Sequence, residues 1–156
     1  MMILGIDPGL CITGWAILHE GAVYKYGLIK TTPKEELYGR IQFIYSEIKV
    51  IIAEHKIVSI GIEAGYCGID GVTALKLGMV RGAVIAAGTG LHIATYAPST
   101  VKLQIAGNGH ANKTDMLDAI HKRFPTMQFS GVGKHDIADA IGVGLCMQTQ
   151  LEESIA

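Results

Sequence analysis

Two almost wholly apolar runs in this chain end in a carboxylate. Met2-Ile3-Leu4-Gly5-Ile6 leads into Asp7, and residues 57–62 lead into Glu63. Short runs of this composition read as strands buried within a sheet. A carboxylate attached to a buried strand is costly unless something neutralises it. Two more acids, Asp136 and Asp139, stand among Ile137, Ala138, Ala140, Ile141 and Val143. Their i,i+3 spacing puts both on one helix face. Taken singly, each acid has an ordinary reading. Asp7 is a turn residue before Pro8-Gly9, Glu63 a strand-end surface residue, and Asp136 a first-turn acid on a helix dipole. Taken together they point to convergence, because the first and fourth strands belong near the sheet centre.

The remaining periodicities supply the frame. Strands are expected over residues 2–6, 13–18 and 22–29, the last two joined at Glu20-Gly21 as part of an antiparallel meander. Leu37, Ile41, Ile44, Ile48 and Ile51 recur at spacings of three and four. They predict an amphipathic helix over 34–54 with Pro33 near its start. A fourth strand is expected over 57–62, a helix over 72–87 and a fifth strand over 91–96. Helices over 98–105, from Asn112 to 123 and over 134–151 complete the chain. Asn112-Lys113-Thr114-Asp115 has the form of a capping box. The order βββ-α-β-α-β-α-α-α predicts an α/β fold with a mixed five-stranded sheet, its first three strands antiparallel, flanked by helices on both faces. No repeat or linker divides residues 1–156, so one domain is expected.

Composition narrows the class. With 156 residues, 49% hydrophobic and 17% charged, the chain can bury a sizeable core and lacks the signature of disorder. Its three cysteines, Cys11, Cys67 and Cys146, are far apart and form no C-x-x-C. That argues against a disulfide framework or zinc ribbon and suits a reducing compartment. The longest charge-free stretch, 82–101, is broken by Gly88, Gly90 and Pro98. It is not a membrane span, and the N-terminal run lacks the basic start of a signal peptide. The expected location is cytoplasmic.

Four carboxylates cannot all ionise close together without cations. Oxygen-only ligands suit Mg2+, with Mn2+ as a substitute. Two such ions ~4 Å apart form a clamp for in-line displacement at phosphorus.

These residues also carry a pattern. It comprises Ile3-Leu4-Gly5-Ile6-Asp7-Pro8-Gly9 with Thr13-Gly14, then Ile62-Glu63, then the stretch from Ala74-Leu75-Lys76-Leu77-Gly78 to Arg81-Gly82-Ala83. Tyr96-Ala97-Pro98 with Val101-Lys102, Gly107-Asn108-Gly109 with Ala111-Asn112-Lys113, and Asp136-Ile137-Ala138-Asp139-Ala140 follow. The pattern spans residues 2 to about 147 and resembles the RuvC family of Holliday junction resolvases. The resemblance implies an RNase H-like fold and a homodimer that binds four-way DNA junctions and nicks them in symmetric pairs. It also implies a branch-migration helicase as working partner. It assigns catalysis and metal binding, with two ions per site, to Asp7, Glu63, Asp136 and Asp139. It places a base-stacking aromatic at Tyr66 and phosphate-binding lysines at Lys102 and Lys113.

Other residues keep two readings. Lys76 and Arg81 are either DNA contacts or an ordinary solvated helix edge. His135, at i,i+4 from Asp139, reads as a first-turn polar residue that could also approach the acids. His110 reads as a turn residue and Cys67 as a small loop residue. The small side chains at Gly78, Gly82 and Ala86 serve either core packing or, by the resemblance, a subunit seam. Rival functions are another RNase H-like nuclease of the YqgF type, acting on RNA or branched DNA, and a catalytically silent junction-binding protein. A sugar-kinase-like nucleotide site would need a second phosphate loop and an adenosine motif, and the sequence shows neither.

A formal charge of −1 argues against nucleic acid as a partner. Its distribution weakens the objection. Residues 72–134 hold seven basic and two acidic residues, net +5, whereas residues 1–71 carry −2 and residues 135–156 carry −4.

Overall fold

Side chains alternate along a strand, so each strand sorts its residues between two faces. The computed structural model describes residues 1–65 and 70–156. Its elements are β1 (Met2–Asp7), β2 (Ile12–His19), β3 (Ala22–Lys30), α1 (Leu37–His55), β4 (Ser59–Glu63), α2 (Gly71–Ala87), β5 (His92–Tyr96), α3 (Pro98–Ala106), α4 (Lys113–Arg123) and α5 (Lys134–Ile155). The sheet order is β3-β2-β1-β4-β5. β1–β2 and β2–β3 pair antiparallel, and β1–β4 and β4–β5 pair parallel. This is the expected mixed sheet, with the two acid-bearing strands β1 and β4 adjacent.

One face of the sheet is bulky. Leu4, Ile6, Ile17, Ile60 and Ile62 pack there against Ile44, Ile48 and Ile51 of α1 and Val80, Val84 and Ala87 of α2. The other face is lined with small residues, and α5 lies almost directly on it. A Cβ at Gly5 would stand 2.1 Å from the Ala140 carbonyl oxygen and 2.6 Å from the Gly144 nitrogen. At Gly14 it would stand 2.2 Å from the Asp136 carbonyl oxygen. Gly5 pairs with Gly61 across β1–β4, and Asp7 pairs with Gly14 across β1–β2. Ala16 and Leu18 meet Ala138, Ala140, Ile141 and Leu145 of α5 in a second core, closed from outside by Leu117 and Ile120 of α4.

Local chemistry sets the ends of these elements. The β2–β3 hairpin turns on Glu20 and Gly21, both at positive φ (51° and 79°), and the Gly21 N–H donates to Gln148 Oε1 of α5. Thr13 is fully buried, and its hydroxyl donates to the Gly9 carbonyl at 2.7 Å and accepts from the Gly9 N–H at 3.2 Å. It thereby fixes the Asp7-Pro8-Gly9 turn. Buried Arg40 ties α1 to the same region, donating Nε to Thr31 Oγ1 and Nη2 to Cys11 Sγ. The expected capping box is present, with Asn112 and Asp115 bonded reciprocally.

Two expectations need correction, and one of two open readings is excluded. The first helix starts at Leu37 rather than 34, because the Glu36 carboxylate caps it through the Tyr38 and Gly39 N–H groups. β4 begins at Ser59, since the Ile57 N–H continues the end of α1 by donating to Ile52. The small side of α2 does not pack into the core: Gly78, Gly82 and Ala86 are exposed, and a Cβ at Gly78 or Gly82 meets nothing within 4 Å. No helix among the described residues is long and apolar enough to cross a membrane.

The seat of α5 is testable. Gly5→Ala drives a side chain into helix backbone that cannot rotate away. It should cost about 3 kcal/mol, at the upper end of overpacking penalties, measured by urea unfolding. Unaltered stability would contradict the close packing.

Candidate active site

The alternation that aims Gly5 at α5 also aims Asp7 there, two residues on. Gly61 and Glu63 repeat the arrangement on β4. The parallel register Ile6↔Ile62 brings both acids to the same sheet end side by side. The first turns of α5 cross above them with Asp136 and Asp139. Carboxylate oxygens of Asp7, Glu63 and Asp139 all lie within 4.8 Å of one another. Asp136 stands outside that trio but close enough for its charge to raise the pKa of both Asp7 and Asp139.

The electrostatics follow from burial and crowding. Burial holds Asp7 well above the usual carboxylate range, and Glu63, Asp139 and Asp136 add like-charge repulsion. Burial and Asp139 push Glu63 up to about 7. Burial pushes Asp139 up to about 6, against the opposing pull of Lys113. Oxygen atoms this close, all hard donors and all short of positive charge, fit a divalent cation. Three of the four acids singled out from sequence, Asp7, Glu63 and Asp139, thus form a group that could hold a metal ion.

A cleft of about 130 Å³ opens beside the trio, lined by Glu63, Asp139, Pro98, Val101, Lys102, Lys113 and Met116. Both lysines thus face the acids, Lys102 from α3 and Lys113 from the first turn of α4. Arg81 is half-buried, and its Nε donates to the Glu63 carbonyl oxygen at 3.3 Å. Lys76 is exposed on α2 and lines neither the trio nor the cleft. Tyr66 and Cys67 lie outside the described residues. His135 acts electrostatically on Asp139, and its Nδ1 is buried without a hydrogen-bond partner among the described residues. His110 is an exposed turn residue whose N–H donates to Asn108 Oδ1.

Sequence reasoning missed the glycine seat and the Arg81 contact. The first had a signal, since glycine inside an apolar strand marks close backbone approach. The second had none, because Arg81 and Glu63 meet only through the fold.

The family model described as crossover junction endodeoxyribonuclease RuvC matches residues 3–147. The chain belongs to this family. A Rickettsia bellii (strain RML369-C) member is 35% identical over 157 residues, covering 96% of this chain and 99% of the relative. A Pseudomonas putida (strain W619) member is 38% identical over 151 residues, covering 93% and 84%. The Thermus thermophilus RuvC structure in complex with a Holliday junction substrate superposes with a TM-score of 0.87 at 23% identity, covering 99% and 96%. That likeness establishes the RNase H-like fold for this chain. The RuvC family assignment carries its activity class: a nuclease hydrolysing DNA phosphodiester bonds.

The raised carboxyl pKa values set a pH dependence. Between their ordinary values near 4 and their folded values of about 6 for Asp139 and about 7 for Glu63, the folded protein binds more protons than the unfolded chain. Metal-free protein therefore loses stability as pH rises through this window. Thermal unfolding in EDTA should show a higher midpoint at about pH 5.5 than at about pH 8. Added divalent cation should restore the midpoint at the higher pH.

Proposed function

We propose that this chain resolves four-way DNA junctions by paired, symmetric, metal-dependent phosphodiester hydrolysis in recombination and repair. The observation that carries the reading is the trio of buried carboxylates beside two lysines, in a chain of the RuvC family. Asp7, Glu63 and Asp139 present the oxygens that hold the cation, and Asp136 supplies a fourth acid from the same helix face. Magnesium is the assigned ion, with manganese able to substitute and two ions per site. A cation held by these carboxylates would supply activation of the attacking water and neutralisation of charge on the leaving 3′-oxygen. Lys102 and Lys113 hold phosphates flanking the scissile bond. Tyr66, on the segment after Glu63, stacks on an unpaired base at the crossover. Lys76 adds an outer duplex contact.

The exposed face of α2 supports a homodimer. Val72, Leu75 and Met79 are 62%, 69% and 43% exposed, and Gly78 and Gly82 between them leave room for close approach. An apolar strip of this kind marks an interface. A two-fold axis through it would present two sites to a two-fold junction.

Asp7→Asn should lower junction cleavage by about three orders of magnitude, ~4 kcal/mol of barrier. Junction affinity, read by gel shift, should change by less than about threefold. Undiminished cleavage would overturn the cation-centred reading. Lys113→Ala should weaken junction binding and reduce the slope of log affinity against log salt by about one. Leu75→Asp should yield a monomer in analytical ultracentrifugation.

A further inference from the structure

Arg81 has the charge expected of a phosphate contact, but its surroundings turn it inward. It is half-buried on α2, and its Nε–H is committed to the Glu63 carbonyl oxygen at 3.3 Å. The guanidinium lies over Gly65, where a Cβ would stand 2.3 Å from Nη1 and 2.9 Å from Cζ. Gly65 is two residues past Glu63, so one planar group spans the point where β4 leaves the sheet. The Ala64 N–H, between them, donates to the Tyr96 carbonyl and holds the exit from the β5 side. With Arg81 on one side and Tyr96 on the other, the backbone bearing the Glu63 carboxylate has little freedom to turn.

We propose that Arg81 is a positioning residue for the nuclease reaction. By holding the Glu63 carbonyl while its guanidinium lies over Gly65, it fixes the direction in which the Glu63 carboxylate meets Asp7 and Asp139. It acts on cation binding through Glu63 and does not bind DNA phosphate. The proposal rests on the cation-site reading above.

Sign separates this role from a purely electrostatic one. Arg81 is a cation near a cation site, so removing its charge alone should tighten metal binding. Removing a clamp should weaken it, and groups that orient metal ligands typically contribute 10–100-fold in affinity. Gly65→Ala offers a variant that leaves every charge in place. The new methyl meets the end of a flexible side chain, so the guanidinium is displaced while the chain remains folded.

The test measures Mn2+ binding to the DNA-free protein by electron paramagnetic resonance at about pH 8. Junction binding in Ca2+ across a salt series and thermal unfolding accompany it. R81Q and G65A should both weaken Mn2+ binding, by about tenfold. Both should leave the salt slope of junction binding unaltered. R81K keeps the charge but lacks the planar fork, and it should not restore Mn2+ affinity. Should R81Q fail to fold, G65A and R81K carry the test. Tighter or unchanged Mn2+ binding in R81Q, rescue by R81K, or a salt slope reduced by about one would overturn the proposal. Absence of Mn2+ binding by the unaltered protein would instead overturn the cation-site reading.

Discussion

The structure depends on one close contact, the backbone of α5 resting on the backbone of β1. The Ala140 carbonyl lies where a side chain at position 5 would be, and the Asp136 carbonyl does the same at position 14. An ordinary helix is held off a sheet by the side chains between them. Here glycine removes that spacer at the strands that end in acids. Two residues beyond Gly5 and Gly61, strand alternation places Asp7 and Glu63 on the same face. Helix acids and strand acids are thus brought within cation-binding distance by the element spacing alone.

That contact creates an electrostatic problem that the rest of the molecule is arranged around. Burial raises the pKa of Asp7, Glu63 and Asp139, and neighbouring acids add to it: Glu63, Asp139 and Asp136 act on Asp7, Asp139 on Glu63, and Asp136 on Asp139. Without a cation they hold protons well above the usual carboxylate range. Lys102 and Lys113 offset part of this from the cleft wall, as their effects on Glu63 and Asp139 show. The lysines thus serve two roles. They lower the pKa of the neighbouring acids, and in the proposed reading they also draw phosphate to the cleft. The near-neutral net charge conceals this division, since residues 72–134 carry +5 against −2 in residues 1–71 and −4 in residues 135–156.

Most of the fold could be read from the sequence because its signals were local. The apolar runs gave five strands, the spacing from Leu37 to Ile51 gave α1, and Asn112 with Asp115 gave the start of α4. The four acids could be singled out because a carboxylate in an apolar stretch conflicts with its surroundings. What the sequence hid was non-local. Nothing near Gly78 or Gly82 says whether a small helix face turns to the core or to solvent. Asp136 and Asp139 looked equivalent on one helix face, yet only Asp139 joins the tight trio. Their separation depends on how α5 crosses β1 and β2, which the close seating on Gly5 and Gly14 decides. Arg81 looked like a surface base because its partner is a backbone carbonyl 18 residues away.

In the proposed reading, buried acids at the ends of β1 and β4 and the start of α5 form a cation site that acts on junction DNA. It is tested most directly by incubating the protein with a synthetic four-way DNA junction, a linear DNA duplex of the same sequence and an RNA strand. Each is assayed with Mg2+ and with EDTA. Paired nicks in the junction alone, present only with Mg2+, are the predicted result. Comparable cleavage of linear duplex or RNA, or junction cleavage that persists in EDTA, would contradict the account.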